Sequence, residues 1–236
     1  VSYCYGIEAI NNLGNPAALI GHSLGEYTAL CLSGYLDYKD ALKVIAVRGE
    51  EMHKAVENSN TTMAAVLTGD LETTIEEIEK LNNQGIQIWI SNFNDPSQIV
   101  ISSYIDDMNY LKSNPKALGA KRVIPLEVAG AFHTEIVSSA KKPLEDTLNS
   151  IDISEGKIPV YMNVDAKKVE VSTLKENLVN QIDNSVLFNQ QIEFVNNDID
   201  PDLWCHIGPG NVTAGMVRKS ISYKDLKVIN SLESSK

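Results

Sequence analysis

The sequence predicts a mixed α/β protein in which a small subdomain is inserted into a larger domain. Three observations favour this fold class. A short apolar segment at residues 17–23 runs through a glycine-flanked turn into an amphipathic helix. Residues 62–129 follow the order β-α-β-β-α-β, and beyond residue 130 helices and strands alternate again. Alternating strands and helices are typical of sheets covered by helices, and the β-α-β-β-α-β order forms a compact unit by itself.

The larger domain is predicted to consist of residues 1–61 and 130–236. Residues 1–12 have the pattern of part of an amphipathic helix, and because the chain does not open on methionine, we expect an N-terminal segment to be missing. PAALIGHS predicts a buried strand that ends at Ser23. LGEYTALCLSGYL then predicts a helix, and DYKDALKVIAVRGEEMHKAV predicts a second one with Asp37 as its N-cap residue.

The stretch 62–129 predicts a ferredoxin-like subdomain. TMAAVLTG is typical of a strand, and DLETTIEEIEKLNNQG of an amphipathic helix that ends at Gly85. IQIWISNFN and PSQIVISS predict two strands joined by a turn at NDPS. YIDDMNYLKSNPKALG predicts a helix that breaks at Pro115, and AKRVIPLEV closes the unit as a strand.

The second part of the larger domain follows the insert. AFHTEIVSSAKKPLEDTLNSI predicts one helix that begins just past His133. KIPVYMNVDAKKV predicts a strand, and STLKENLVNQI a helix. IEFVNNDIDPDLWCHIGPG contains the end of a helix and a strand, NVTAGMVRKS begins the last helix, and LKVINSL is the last strand.

Composition excludes several classes of protein. The 236 residues are 43% hydrophobic and 22% charged, as in ordinary globular chains. No apolar run reaches the ~18 residues of a membrane-spanning helix, and we see no signal peptide. A formal net charge of −11 argues against a nucleic-acid partner. The three cysteines are widely spaced and form no disulfide pattern, which favours a reducing, cytoplasmic location. The four histidines are scattered without the spacing of metal ligands, so that no metal site is predicted.

The most informative motif is Gly21-His22-Ser23-Leu24-Gly25, which matches the G-x-S-x-G nucleophile elbow. Small residues on both sides are expected to relieve crowding at a sharp turn from strand to helix. The serine hydroxyl then lies at a helix N-terminus, where free N–H groups favour negative charge, and the Leu24 N–H is the natural first donor to an oxyanion. The alternative is a tight turn in which Ser23 only caps the helix.

A serine nucleophile needs a base, and the sequence offers two candidates. His133 stands alone at the junction between the insert and the next helix. His206 follows several aspartates, so that the order Ser-Asp-His would match a hydrolase triad. Arg48 lies on an otherwise apolar helix face. It is either a surface arginine that pairs with Glu50, Glu51 or another neighbour, or it binds a substrate carboxylate through two parallel hydrogen bonds.

Five motifs occur together and in order: GHSLGEYTAL, RGEEM, GAFHT, NVDA and GPGNV. With these motifs the chain resembles, over nearly its whole length, the malonyl-CoA:acyl carrier protein transacylases of fatty-acid synthesis and the related acyltransferase domains of polyketide synthases. The resemblance implies an α/β-hydrolase-like domain with a ferredoxin-like insert. It also implies transfer of malonyl from malonyl-CoA to the phosphopantetheine thiol of an acyl carrier protein, without a cofactor.

The resemblance implies a role for individual residues. Ser23 would attack the malonyl thioester and hold malonate as an ester, and His133 would be the base and then the acid. Arg48 would pair with the malonate carboxylate, and Phe132 matches the family's malonyl-type signature. A backbone carbonyl near Leu187 would orient the histidine in place of a triad acid.

The chain departs from the family pattern at two places. The family's Gly-Gln-Gly segment, which supplies a second oxyanion donor before the elbow, is absent, and His206 stands where the family more often has an acid. Two alternatives therefore stay open: a serine hydrolase or thioesterase that uses Ser23 and His206, and a catalytically incomplete fragment. Several basic residues are either a docking patch for an acidic carrier protein or solvated surface residues. They are Lys116, Lys121, Arg122, Lys141 and Lys142.

Overall fold

A computed structural model describes residues 1–222, 224–231 and 234 and shows a mixed α/β chain. None of the helices it describes is long and apolar enough to cross a membrane. Two short 3₁₀ helices, Pro115–Leu118 and Glu135–Ala140, accompany the regular elements. In chain order the α-helices and β-strands are α1 (Ser2–Leu13), β1 (Leu19–Ile20), α2 (Leu24–Ser33), α3 (Tyr38–Val56), β2 (Thr61–Leu67), α4 (Leu71–Asn83), β3 (Ile88–Asp95), β4 (Gln98–Tyr104), α5 (Ile105–Ser113), β5 (Arg122–Pro125), α6 (Lys141–Asn149), β6 (Val160–Tyr161), α7 (Val171–Asn180), α8 (Phe188–Ile199), β7 (Leu203–Ile207), α9 (Val212–Ser220) and β8 (Asp225–Ile229).

Strands β2 to β5 form a four-stranded antiparallel sheet with the strand order β3-β4-β2-β5. In its centre Ala65 on β2 lies opposite Val100 on β4 and Ile124 on β5. Helices α4 and α5 cover one face, because Ile78 and Met108 pack into the same buried cluster as the strands. The predicted β-α-β-β-α-β order of elements is therefore confirmed.

The rest of the chain contains two short parallel pairs of strands, β1 with β6 and β7 with β8. A cavity of about 450 Å³ lies between the two pairs and is lined by both β1 and β7. Helices α2, α3, α6 and α7 pack around a common apolar core whose fully buried members include the following leucines and valine: Leu30, Val44, Leu144, Leu148, Leu174 and Leu178. Removal of this apolar surface from water is the main force that holds α2 and α3 in place.

Several predicted elements differ from the structure in length. The strand predicted in PAALIGHS is only Leu19–Ile20, because its partner β6 offers two residues before the chain turns away. The single helix predicted past His133 is wrong. A 3₁₀ helix at Glu135–Ala140 precedes α6, and Pro143 cannot donate the hydrogen bond that would continue an α-helical ladder across this junction. The last strand was predicted to reach Leu232, which lies outside the described residues.

Candidate active site

Ser23 lies at the sharp turn between β1 and α2. Its backbone has φ 51° and ψ −107°, a left-handed region that side chains rarely adopt. The side chain of Asn163 stabilises this turn from both ends. Its Oδ1 accepts from the Ser23 N–H at 2.8 Å, and its Nδ2 donates to the Gly21 carbonyl at 2.6 Å. The strained serine is thus built into the fold, as a nucleophile elbow requires.

The two glycines that flank the serine are not equivalent. A Cβ atom on Gly21 would lie 2.1 Å from the carbonyl carbon of Gly25, and that backbone cannot move without breaking the turn. A Cβ atom on Gly25 would meet nothing within 4 Å. The expectation that both glycines relieve crowding is therefore wrong for Gly25.

We predict that Gly21→Ala lowers the free energy of unfolding by ~3 kcal/mol or more, because the clash is with backbone atoms. Gly25→Ala is the matched control, and we expect a change of at most ~1 kcal/mol in the stabilising direction, since alanine favours the helix. Urea denaturation of both variants measures the difference. Equal destabilisation by the two substitutions would contradict this account of the turn.

His133 contacts the serine directly. The Ser23 hydroxyl donates to His133 Nε2 at 2.8 Å, and His133 Nδ1 donates to the Gln181 carbonyl at 2.8 Å. A carbonyl oxygen can only accept, so Nδ1 carries the proton and Nε2 is free to accept the one on the serine. This pair of contacts gives the imidazole the tautomer and the orientation of a general base.

The carbonyl that orients His133 is not near Leu187, so that prediction is wrong. It belongs to Gln181, which directly follows α7, while the Leu187 N–H donates to the Asn163 carbonyl at 2.9 Å. The physical reason is that the last carbonyl groups of a helix have no partner within the helix. The end of α7 can therefore present an acceptor to the buried histidine.

Burial and, next in size, the nearby Arg48 guanidinium together lower the pKa of His133 to about 3, against the opposing effect of its hydrogen bond to Gln181. Only 5% of the His133 surface is exposed. The imidazole is consequently neutral at physiological pH, which is the form that can accept a proton.

Arg48 reaches the same serine from α3. Its Nη2 donates to Ser23 Oγ at 2.9 Å and to Gln181 Oε1 at 3.0 Å, and its guanidinium carbon lies 5.7 Å from the centre of the Tyr27 ring. Arg48 is 7% exposed, and in the part of the chain that the structure describes it has no ion pair with a carboxylate and no partner for its Nε–H.

The interpretation of Arg48 as a surface residue paired with Glu50 or Glu51 is wrong, since both of those carboxylates contact Lys54. A buried guanidinium without a carboxylate partner is costly, and it favours the binding of an anion beside the serine.

Leu24 and Phe132 lie next to these groups. Leu24 begins α2, and none of the described residues accepts a hydrogen bond from its N–H, so that this donor is available at the helix N-terminus. Phe132 immediately precedes His133, and its half-buried ring packs against the core that contains α2 and α3. Leu24 thus directly follows the serine in the chain, and Phe132 directly precedes the histidine that contacts it.

The other three histidines do not contact Ser23. His206 Nδ1 lies 2.6 Å from Thr213 Oγ1, on the side of the cavity between the parallel strand pairs. His22 Nε2 lies 2.9 Å from Asn94 Oδ1, and burial lowers the pKa of His22. His53 is exposed on α3. The geometry thus brings His133, and not His206, to the serine.

The lysines proposed for docking divide into two groups. Lys141 contacts Asp183 at 3.0 Å, and Lys142 contacts Asp146 at 2.7 Å, so that both charges are largely compensated locally. Lys116, Lys121 and Arg122 form no ion pair within the described ranges.

Sequence reasoning missed a buried polar network beneath the serine. Glu26, Gln181 and Asn163 are each fully buried and hydrogen-bonded to one another. A signal was present for Glu26, because it lies four residues before Leu30 on the buried face of α2, where an acidic residue is unusual. For Gln181 the pattern offered no signal, since a glutamine at a helix end is ordinary.

A half-buried serine on a strand-to-helix turn, in contact with a buried histidine and with an arginine that has no described ion pair, is typical of serine-nucleophile sites for chemistry on acyl groups. The model of the acyl transferase domain family matches residues 5–233, and the chain belongs to this family.

Individual relatives agree with this assignment. The chain is 38% identical over 205 residues to the malonyl CoA-acyl carrier protein transacylase of Bacillus subtilis, and the match covers 86% of this chain and 64% of the relative. It is 34% identical over 231 residues to the protein of the same name from Staphylococcus aureus, covering 98% of this chain and 74% of the relative. The chain thus spans just under two thirds of the length of the first relative.

Solved structures give the same result. A malonyl-transacylase in complex with its type II polyketide synthase acyl carrier protein superposes with a TM-score of 0.90 at 29% identity, covering 99% of this chain and 76% of that one. A transacylase structure from Streptococcus pneumoniae superposes with a TM-score of 0.90 at 31% identity and the same coverage.

Proposed function

We propose that this chain transfers a malonyl group from malonyl-CoA to the phosphopantetheine thiol of an acyl carrier protein through an ester on Ser23. The observation that carries the proposal is the contact between Arg48 Nη2 and Ser23 Oγ, because it places a buried positive charge, which has no ion pair with any described carboxylate, beside the nucleophile. A malonyl group offers both functions that this arrangement binds, a thioester for the serine and a carboxylate for the guanidinium.

In the first half-reaction His133 Nε2 accepts the proton of Ser23 as Oγ attacks the thioester carbonyl carbon. The negative charge on the carbonyl oxygen is stabilised by the Leu24 N–H at the start of α2. The intermediate collapses with cleavage of the C–S bond, and His133 returns the proton to the departing coenzyme A thiol. In the second half-reaction the carrier thiol gives its proton to His133 and attacks the ester, and Ser23 regains its hydroxyl proton.

Arg48 and Phe132 determine the acyl group in this proposal. The guanidinium pairs with the malonate carboxylate, and an acetyl group would leave it unpaired in a buried site. Phe132 lies beside His133 and limits the space for a larger side chain on the acyl group. No other described arginine contacts Ser23, which supports the assignment of this role to Arg48.

We also propose an α/β-hydrolase-like core at residues 1–61 and 130–236 with a ferredoxin-like insert at 62–129. The strand order β3-β4-β2-β5 and the position of α4 and α5 on one face of that sheet support the classification of the insert. The elbow between β1 and α2 supports that of the core.

Incubation with malonyl-CoA alone, followed by intact-mass measurement, tests the proposal. We expect the mass of the protein to increase by one malonyl group and the increase to disappear when acyl carrier protein in its phosphopantetheine form is added. Ser23→Ala is the control and should remain unmodified. Absence of an adduct, or rapid release of free malonate without a carrier, would overturn transfer in favour of an inactive chain or a hydrolase.

A further inference from the structure

We infer that Glu26 is a positioning residue for the specificity of the acyl transfer: its carboxylate fixes the side-chain amide of Gln181, and that amide in turn fixes the donor of Arg48. The inference rests on the proposed malonyl transfer and deepens it. Glu26 itself makes no contact with Ser23 Oγ or His133 in the described structure, so it acts through Gln181.

Gln181 connects the three residues of the site. Its backbone carbonyl accepts from His133 Nδ1, and its side-chain Oε1 accepts from Arg48 Nη2 at 3.0 Å. Its Nε2 donates towards the Ser23 carbonyl at 3.0 Å. An amide has one donating and one accepting end, so the contact of Gln181 with Arg48, which also donates to Ser23 Oγ, exists only while the oxygen of Gln181 faces the guanidinium.

Glu26 selects this orientation of the amide. Its Oε2 accepts from Gln181 Nε2 at 2.6 Å, the shortest contact that this nitrogen makes, and its Oε1 accepts from the Asn163 backbone N–H at 2.5 Å. The turned-over amide would point an oxygen at a carboxylate and a nitrogen at a guanidinium, and both contacts would be repulsive.

A carboxylate is the side chain required here because two donors converge on it. The Asn163 N–H is a backbone group and cannot turn away. A glutamine at position 26 would have to offer its oxygen to that N–H, and its NH₂ would then face the NH₂ of Gln181. The amide of Gln181 must turn over or withdraw, and either movement removes its oxygen from Arg48.

A double-mutant cycle with Glu26→Gln and Gln181→Met tests the inference. The readout is the ratio of the Ser23 acylation rates with malonyl-CoA and with acetyl-CoA, measured by intact mass at a pH above the pKa of Glu26, where this residue is a carboxylate. Each single variant should lower this ratio about tenfold, and the double variant should lower it no further, because both changes release the same arginine. Glu51→Gln, an acid-to-amide change on the surface of α3, is the matched control and should keep the wild-type ratio.

A second measurement needs no variant at Glu26. Burial raises the pKa of Glu26 to about 8, and the charge of Asp165 adds to this rise, while the hydrogen bond from the Asn163 N–H, the charge of Arg48 and the hydrogen bond from the Gln181 amide oppose it. Protonation removes one of the two acceptor oxygens, so the malonyl-to-acetyl ratio of the wild type should rise as the pH is raised through about 8. Titration of His133 cancels in the ratio because both substrates use the same base, and the buried Tyr27 has a pKa raised well above this range.

The Gln181→Met variant should show no such rise in the ratio. An unchanged ratio in Glu26→Gln, single effects that multiply in the double variant, or a pH-independent ratio in the wild type would each overturn the inference. A wild-type protein that acquires no malonyl group would instead overturn the proposed function, so the two failures are distinguishable.

Discussion

Replacing His133 with alanine will slow the formation of malonyl-Ser23 by about 10⁴-fold, whereas replacing His206 will leave the rate within about twofold of the wild type. The reason is geometric. Ser23 Oγ has only one nitrogen base within hydrogen-bond distance in the described structure, His133 Nε2 at 2.8 Å, while His206 contacts Thr213 on the far side of the cavity. Single-turnover acylation followed by intact mass measures both rates.

The matched control is His22→Ala, which removes a half-buried histidine next to the serine in sequence without removing a contact to its hydroxyl. We expect a much smaller effect from it, transmitted through the position of Asn94. If His206→Ala abolished acylation and His133→Ala did not, the proposed base would be wrong and the hydrolase triad would become the better interpretation.

Some parts of this site could be predicted from sequence because they depend on neighbours along the chain. The elbow at Ser23 follows from the G-x-S-x-G pattern, an apolar segment and a helical pattern within a short stretch of chain, although only Gly21 is required by close contacts. The insert follows from hydrophobic periodicity, which records the local alternation of buried and exposed positions. The Asp37 N-cap is equally local, and its side chain accepts from the Lys39 N–H as predicted.

Other parts depend on contacts between distant segments, and the residue types do not reveal them. The choice between His133 and His206 requires knowing which one lies next to Ser23, and His133 is 110 positions away in the chain. The carbonyl that orients His133 could not be located, because every residue has a carbonyl and only the end of α7 decides which one faces inward. The length of β1 likewise depends on β6, which it meets only after the whole insert.

The buried charges show how the distant segments cooperate. Three segments meet here: Glu26 lies on α2, Arg48 on α3, and Gln181 directly after α7. The side-chain amide of Gln181 lies between the carboxyl group of Glu26 and the guanidinium of Arg48. Glu26 reaches Arg48 only through the Gln181 side chain and forms no direct ion pair with it, so the guanidinium remains free to pair with an anionic substrate. This arrangement explains why Arg48 lacks a carboxylate partner although a buried acid lies close by.

Arg48→Ala will lower the rate of Ser23 acylation by malonyl-CoA by ~10³-fold, which corresponds to ~4 kcal/mol, and will change the rate with acetyl-CoA far less. The malonate carboxylate would then be buried without a counter-ion, whereas the acetyl group carries no charge to compensate. Acylation rates with the two thioesters, measured separately and in competition, give the change in selectivity.

Arg122→Ala is the matched control, since Arg122 is an exposed arginine on β5 and its removal should change neither rate. Arg48→Lys separates charge from geometry: a single ammonium keeps the attraction but loses the forked pair of donors, so its selectivity should lie between those of the wild type and of the alanine variant. Equal losses with malonyl-CoA and acetyl-CoA in Arg48→Ala would show that the arginine supports Ser23 itself and does not bind the far end of the acyl group.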